Sequence, residues 1–222
     1  GPRLTGLTKI WEQTPKVTGR GHFSHRMAFS PDGKYLFISS GERQKMEPAQ
    51  LMDGQLGKVL RLYPDGSIPE DNPFADRTGP VRAVWSLGHR NLLGLAFDGK
   101  GNLWNTEMGP AGGDELNLVQ RGENYGWPVL SNGSHYDGRD IPDHAPDGEE
   151  EAGKVVAGGA YGYSSPKLFW NPSISPANLM HYDGALFPKW RGSLFIGGLS
   201  GEVLIRISLD HDTRDIATIA DT

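Results

Sequence analysis

The stretch Leu95–Gly109, LAFDGKGNLWNTEMG, carries the pattern that decides the fold. It begins with a short apolar run, passes through the glycine-rich segment Asp98-Gly99-Lys100-Gly101, and continues as a second run with large residues alternating. Segments of this kind connect antiparallel strands, because the turns that match strand twist require positive φ angles. The stretch therefore predicts a β-hairpin.

The same plan recurs along the chain, so the hairpin is a repeated unit. It is found at Met27–Glu42 and again within Met180–Ile207. A further hairpin is predicted within Lys58–Phe74, with its turn at Pro64-Asp65-Gly66. Gln44–Gln55 is the one segment that allows a short helix. These patterns predict an all-β protein.

Hairpins repeated every few tens of residues are typical of a β-propeller or a β-sandwich, and loose internal repetition favours the propeller. We expect a single propeller domain over residues 1–222, built from four-stranded antiparallel blades. At roughly 40–50 residues per blade, the chain supplies about four to five blades. The 31 glycines and 16 prolines fit many tight turns, and 6 Trp, 7 Tyr and 8 Phe supply apolar bulk for a core.

The charge balance and the apolar runs argue against several classes of function. There are 22 basic and 27 acidic residues and no run of five or more Lys or Arg, which argues against nucleic acid and anionic membranes as partners. No segment approaches the roughly 18 apolar residues of a membrane span, and the amino end lacks a signal-peptide pattern. The chain has no cysteine for disulfides or thiolate chemistry. The acidic stretch Asp137–Lys154 predicts a long, solvated surface loop.

Two histidines, His22 and His25, precede the first predicted strand. An imidazole can take a proton from a hydroxyl group when a carboxylate fixes its tautomer, and Glu42 follows the hairpin that would return to this neighbourhood. A loop histidine that only hydrogen-bonds to the backbone is the more common alternative. The residues alone leave both readings open.

Arg90 and Asn91 stand directly before the apolar run Leu92–Phe97. A guanidinium beside an amide suits a carboxylate or a quinone oxygen, because arginine donates hydrogen bonds in a fixed planar fork. An arginine that ties blades together through backbone carbonyls is the alternative.

The segment Glu107–Asn117, EMGPAGGDELN, has the composition of a loop that binds a hard cation. The carbonyls of Gly109 and Pro110 can turn toward one point, and Asp114 and Glu115 add carboxylate oxygens. Calcium accepts six to eight oxygen ligands, including backbone carbonyls. The alternative is a glycine-rich turn with solvated acidic residues.

Together, four blocks of the sequence resemble the soluble quinoprotein aldose (glucose) dehydrogenases. They are HFSHRMAFSPDGKYLF (22–37), GKVLRLYPDGSIPEDNPF (57–74), LGHRNLLGLAF (87–97) and EMGPAGGDELNLVQRGENYGWP (107–128). The resemblance covers about residues 20–130 and continues more weakly to about Asp210. It implies a six-bladed propeller that binds pyrroloquinoline quinone (PQQ) on its top face.

The resemblance also implies roles for matching residues. His22 would be the base that removes the proton of the sugar's anomeric hydroxyl, with Glu42 as its acidic partner. Arg90 and Asn91 would hold PQQ, and Ser173 stands in the cofactor site where relatives have a threonine.

Calcium (Ca2+) is implied at two places. The Gly109 and Pro110 carbonyls would ligate the ion that polarises the quinone, while Glu115 and the Tyr125 carbonyl resemble a second, structural calcium site.

The function implied by the resemblance is oxidation of the C1 hydroxyl of an aldose sugar to a lactone. The electrons would pass to an external acceptor, and the location would be periplasmic or secreted. One alternative is a calcium-stabilised propeller that binds carbohydrate or a protein partner without redox chemistry. Another is a calcium-dependent, lactonase-like hydrolase on the same fold.

Thr222 comes before the downstream arginine pair that relatives use to bind the quinone. One or two blades' worth of family sequence is therefore expected to be missing, either because the chain is a fragment or because the propeller is shortened. In that case we expect weaker PQQ binding, and gaps in the ring or closure by self-association into a homo-oligomer.

Overall fold

The computed structural model describes residues 2–144, 162–210 and 216–221. These residues form β-strands joined by turns, loops and short 3-10 helices. The strands are β1 (Ser24–Phe29), β2 (Leu36–Ser40), β3 (Lys58–Leu62), β4 (Val84–Leu87), β5 (Leu92–Phe97), β6 (Leu103–Glu107), β7 (Ala111–Gly112), β8 (Asp114–Val119), β9 (Gly133–Ser134), β10 (Leu168–Trp170), β11 (Met180–Tyr182), β12 (Ser193–Gly198), β13 (Val203–Asp210) and β14 (Ile216–Asp221). The prediction of an all-β protein is confirmed.

Twelve of these strands form three antiparallel four-stranded sheets. The first sheet has the order β1-β2-β3-β4, the second β5-β6-β8-β10 and the third β11-β12-β13-β14. Strands β1, β5 and β11 each form one edge of a sheet, and β5 contacts both of the others. The sheets are therefore blades of a β-propeller whose inner strands lie side by side, as expected from the repeated hairpins.

Apolar side chains fill the spaces between neighbouring blades. Along β2, Phe37 packs toward the second sheet, whereas Leu36 and Ile38 pack on the opposite face of the first sheet, as the two-residue period of a strand requires. The cluster between the second and third sheets contains Trp104, Leu116, Leu118, Trp170, Leu194, Ile196, Ile205 and Ile207. Because both faces of these strands are covered, β2, β3, β6 and β8 are buried along their whole length.

The hairpin of β5 and β6 forms where the sequence predicts it. Asp98 accepts hydrogen bonds from the backbone N–H groups of Lys100 and Asn102, both at 2.9 Å, and from the indole N–H of Trp104 at 3.0 Å. Gly101 has a φ of 85°, which glycine adopts without steric penalty. The aspartate thus closes the turn and fixes a core tryptophan.

The chain length predicts about four to five blades' worth of sequence. Residues 2–144, 162–210 and 216–221 contain three four-stranded sheets and the two-stranded sheet of β7 and β9. Long connections separate the strands of the first sheet, since residues 41–57 and 63–83 contain no strand. Met52 and Ile68, one in each connection, pack against the core of the first sheet, as does Trp11 from the segment before β1.

The prediction of a hairpin at Pro64-Asp65-Gly66 was confirmed for the turn and wrong for the second strand. The turn forms, with a 2.9 Å hydrogen bond from Gly66 N–H to the Tyr63 carbonyl, but the segment after it is not a strand. Pro69 and Pro73 lack the N–H that a ladder needs, and β3 pairs with β4 instead.

The short helix predicted within Gln44–Gln55 is confirmed as one 3-10 turn, Glu47–Ala49. Two further 3-10 turns, Gly79–Ala83 and Pro188–Trp190, were not predicted. Each begins with a proline at its first or second position and is too short to show helical periodicity.

The acidic stretch Asp137–Lys154 lies partly outside the described residues. In its described part, most side chains are exposed, but Ile141 and His144 are buried at 5% exposure. Ile141 packs with Ala49 and Trp127. The prediction of a fully solvated loop was therefore wrong for these two side chains, which anchor the segment.

One rim of the blades carries the candidate site. The beginnings of β1, β5 and β8 and the ends of β2 and β6 meet there, because antiparallel neighbours reverse direction.

Candidate active site

His22 and Glu42 form the hydrogen-bonded pair that the sequence predicted as a hypothesis. His22 Nδ1 contacts Glu42 Oε1 just before β1, and Glu42 Oε2 accepts hydrogen bonds from the backbone N–H groups of Lys45 and Met46. The His22 side chain is 14% exposed and the Glu42 side chain 0%. The buried carboxylate therefore holds an imidazole that reaches the surface of the rim.

The electrostatics of Glu42 favour its ionised form. Burial opposes ionisation and is the largest influence, but the hydrogen bonds from His22, Met46 and Lys45 outweigh it and lower the pKa of Glu42. An ionised partner suits an imidazole that must carry a proton.

The backbone around His22 is in an uncommon conformation. His22, Ser24 and His25 have φ angles of 50°, 57° and 63°, and the ladder between β1 and β2 shifts register between Ser24 and Met27. Positive φ angles at non-glycine residues store strain that surrounding contacts must offset.

His25 and His89 are placed differently from His22. The His25 ring packs edge-on against Trp11, with ring centroids 5.4 Å apart, and burial, Lys16 and Arg43 lower its pKa. His89 is fully buried, 2.8 Å from Ser86 Oγ and 3.1 Å from Glu107 Oε1. Neither shares the His22 arrangement of a buried carboxylate behind a surface imidazole.

Arg90 lies at the rim, two residues before β5 begins. Its Nη1 donates to the carbonyls of Met108 at 2.9 Å and Gly109 at 2.5 Å, and its Nη2 donates to the Tyr136 hydroxyl at 3.2 Å. The guanidinium lies 5.1 Å from the centroid of the Trp127 ring.

Within the described residues, no acidic side chain forms an ion pair with the guanidinium of Arg90. The residue is 5% exposed, and its Nε is buried without a hydrogen-bond partner in that part of the chain. A buried cation in this state favours an anionic ligand.

Asn91 connects Arg90 to the histidine segment. Its Oδ1 accepts a 3.2 Å hydrogen bond from Ser24 Oγ, and its backbone carbonyl accepts one of 3.1 Å from Met108 N–H. The backbone carbonyl of Arg90 accepts a 3.0 Å hydrogen bond from Glu42 N–H. The two predicted groups of site residues are thus brought together.

The carboxylate of Asp114 joins the glycine-rich loop to the segment that begins at Ser173 by accepting hydrogen bonds from both. Oδ1 accepts a 2.9 Å hydrogen bond from Gly109 N–H, while Oδ2 accepts from Ser173 Oγ at 2.6 Å and from the backbone N–H groups of Ile174 and Ser175. Ser173 therefore reaches the same rim from a distant part of the chain, but its hydroxyl is bound to Asp114.

Glu115 and Tyr125 belong to a buried network below the rim. One Asn117 side-chain amide donates to both Glu107 and Glu115 at 3.0 Å, and His144 Nε2 lies 3.7 Å from Glu115 Oε1. Burial, followed by the charge of Glu107, raises the pKa of Glu115 to about 8.

Tyr125 forms one wall of this network. Its ring stacks on His89 at a centroid distance of 4.6 Å, and its hydroxyl donates to the Leu118 carbonyl. Burial raises the pKa of Tyr125 well above its usual range. Its side chain is thus structural, which leaves only its backbone carbonyl for a role in metal binding.

Several residues of the site were missed from the sequence. Glu107 and His144 contact predicted residues only because segments distant in sequence converge, whereas Asn117 lies two residues from Glu115 on β8. Glu107 and Asn117 were within reach of a strand-period argument, since Glu107 pairs with Glu115, and residues two apart on a strand share a face. His144 gave no comparable signal.

The described residues contain neither a cluster of metal-ligating side chains nor a helix that could span a membrane. Within residues 2–144, 162–210 and 216–221, no three His, Asp or Glu side chains are grouped so as to hold a metal ion. Over the same ranges, no helix has the length and apolar character needed to cross a membrane.

The fold defines a β-propeller protein with a cluster of buried polar side chains at one rim of its blades. Residues 1–220 match the Glucose / Sorbosone dehydrogenase family, and the chain belongs to this family.

Similar proteins support the assignment. The chain is 39% identical over 212 residues to the aldose sugar dehydrogenase YliI of Escherichia coli, covering 95% of this chain and 54% of that protein. The crystal structure of the E. coli soluble aldose sugar dehydrogenase in its apo form matches with a TM-score of 0.82 at 37% identity, over 97% of this chain and 58% of that one.

A structure of the PQQ-bound aldose sugar dehydrogenase of Streptomyces coelicolor is also similar. It matches with a TM-score of 0.64 at 30% identity, over 90% of this chain and 49% of that one. The chain thus spans about half the length of the relatives it matches.

Proposed function

We propose that the protein is a quinoprotein oxidoreductase that oxidises the C1 hydroxyl of aldose sugars to lactones, with PQQ and calcium as cofactors. The observation that carries the proposal is the meeting, at one rim, of the His22–Glu42 pair with a buried Arg90 that has no acidic partner among the described residues. The PQQ-bound relative supports the choice of cofactor.

His22 is proposed as the general base. Its Nδ1 is held by Glu42, which leaves Nε2 as the nitrogen that accepts the proton of the sugar's C1 hydroxyl. The ionised carboxylate of Glu42 stabilises the imidazolium that results, in the same way that an aspartate orients and supports a catalytic histidine in hydrolases. When bound, PQQ supplies the acceptor for the hydride that leaves C1.

Arg90, Asn91 and Ser173 are proposed to hold PQQ. The unpartnered Nε of Arg90 fits an anionic group, and Trp127 and Tyr136 near the guanidinium offer aromatic surface. Ser173 Oγ donates to Asp114, so it can donate to the ligand only if it gives up that hydrogen bond.

Calcium is proposed at the two places implied by the resemblance. The carbonyls of Gly109 and Pro110 would serve the first ion, although the Gly109 carbonyl accepts a hydrogen bond from Arg90 and the Asp114 oxygens are already bonded. Glu115 and the Tyr125 carbonyl would serve the second. The ligands of this second site suit a dication, because a bound cation would relieve the repulsion between the buried Glu115 and Glu107.

The remaining expectations accompany this proposal. We propose that residues 1–222 belong to one propeller domain, that the protein acts in the periplasm or is secreted, and that an external acceptor takes up the electrons. Self-association into a homo-oligomer stays a prediction, to be measured by sedimentation.

The test is a titration of the purified, calcium-loaded protein with PQQ, followed by dye-linked oxidation of several aldoses. We expect saturable PQQ binding and sugar-dependent dye reduction that is lost in His22→Gln. PQQ binding without oxidation of any aldose would favour another reaction. Sugar binding without PQQ binding would favour the carbohydrate-binding alternative.

A further inference from the structure

Lys58, the first residue of β3, is a fully buried cation at the rim. Its Nζ donates three hydrogen bonds of 2.8 Å, to the carbonyls of Pro48, Ala49 and Leu56. An ammonium group has three N–H donors, so every donor is used. Two of its acceptors belong to the 3-10 turn Glu47–Ala49.

The charged form of Lys58 matches this cage of carbonyls. Burial lowers the pKa of Lys58 to about 7, while Asp53 opposes that decrease. A neutral amine would turn a lone pair toward one of the three oxygens, so the geometry itself favours the ammonium form.

The chain between Glu42 and this turn is strained. Arg43, Gln44 and Met46 have φ angles of 62°, 58° and 61°, a conformation that non-glycine residues rarely adopt. Such strain persists only where surrounding contacts hold the backbone in place.

The strained segment determines the position of Glu42. Its Lys45 and Met46 N–H groups donate to Glu42 Oε2, and Glu42 Oε1 contacts His22. On its far side, the Ala49 carbonyl accepts both the Lys58 ammonium and a 3.0 Å hydrogen bond from Gly88 N–H, two residues before Arg90. Contacts therefore run without interruption from Lys58 through the turn to His22.

We propose that Lys58 is a positioning residue: by holding the Pro48 and Ala49 carbonyls, it keeps the strained segment 43–46 in the conformation that presents Glu42 to His22. The role of His22 as a base rests on the proposed function, but the positioning of its ring does not. Lys58 itself touches neither His22 nor Glu42, so its effect must pass through the backbone of the turn.

The test measures the His22 ring directly. Imidazole 15N NMR spectra of the protein report the tautomer of each histidine, and His22→Gln identifies the His22 signals. Lys58→Met removes the ammonium at similar volume. The matched control is Arg61→Met, which removes a second buried cation of β3 whose side chain instead bonds to Asn72 and Asp71.

In Lys58→Met we expect the His22 signals to move from a single tautomer, with Nδ1 protonated toward Glu42, to a mixture of both tautomers. Arg61→Met should leave them unchanged. In an active preparation, kcat should fall at least about tenfold in Lys58→Met with little change in KM, because part of the general-base contribution is lost.

Lys58→Gln retains amide donors and should give a smaller shift in the same direction. A folded Lys58→Met protein with unchanged His22 signals would overturn the proposal. So would failure of both Lys58 variants to fold, since Lys58 would then support the whole blade and not the turn. Because the NMR result does not require sugar oxidation, an inactive protein would refute the proposed function without affecting this test.

Discussion

Arg90 Nη1 donates a 2.5 Å hydrogen bond to the backbone carbonyl of Gly109, the same oxygen that is proposed to ligate calcium. The anchor for the anionic cofactor and the loop for the metal are therefore in direct contact. Binding at one should alter the other, since a dication and a guanidinium repel when both approach one carbonyl.

Arg90→Gln should weaken PQQ binding by about 10- to 150-fold, the equivalent of losing about 1.5–3 kcal/mol from a hydrogen bond to a charged group. The measurement is a PQQ titration of the calcium-loaded protein. Arg61→Met, which removes a buried arginine away from the rim, serves as the control. If Arg90→Gln and wild type bound PQQ with equal affinity, Arg90 would not be a PQQ ligand.

His22→Gln should lower kcat by about 10²- to 10⁴-fold while PQQ binding is retained, because a general base contributes to the rate and not to cofactor affinity. His25→Gln is the matched control: it lies three residues away against Trp11 and should keep most of the activity. If His25→Gln lowered kcat more than His22→Gln, His22 would not be the general base.

The stability that Glu42 provides should depend on pH in one direction. Its pKa is lower in the folded protein than the ordinary value of 4.5. Its stabilising contribution is therefore fully present above that ordinary value and declines as the pH falls through the lower, folded-state value. We expect the difference in unfolding free energy between wild type and Glu42→Gln to be largest near neutral pH and to shrink in acid. Denaturant titrations at several pH values measure it, and a difference independent of pH would contradict the pairing.

Calcium should stabilise the protein through Glu115. When free calcium is at about 100 times its Kd, its binding should raise the unfolding free energy by about 2.7 kcal/mol. Removing the calcium should therefore lower Tm by about 5–10 °C for a chain of this size. In Glu115→Gln the chelator should have a smaller effect, because only the ion proposed at the Gly109 and Pro110 carbonyls would remain to be removed. The calcium-free variant should be at least as stable as calcium-free wild type, because repulsion from Glu107 is relieved.

Asp114→Asn is the control for this measurement. The Asp114 carboxylate accepts four hydrogen bonds from donors of the protein, so the variant should lose stability by a similar amount with and without calcium. If the stabilisation by calcium disappeared in Asp114→Asn but persisted in Glu115→Gln, Asp114 and not Glu115 would be the calcium ligand.

The hairpins could be read from the sequence because their information is local. In the Asp98 turn, the acceptor, the glycines and the core tryptophan lie within seven consecutive residues. The Pro64-Asp65-Gly66 turn shows where this reasoning stops. The turn itself formed, but the partner of β3 was chosen by packing on the first sheet and by two prolines, not by the adjacent sequence.

The sequence by itself determined the all-β class, the repeated hairpins and the residue types of the site, because turn chemistry and strand periodicity act over a few neighbouring residues. Only the tertiary structure decided the length of the connections between strands and the burial of Ile141 and His144. It also decided that Lys58, Glu42 and His22 form one connected set. These relations depend on which distant segments share a rim, and that is set by packing between blades over long sequence separations.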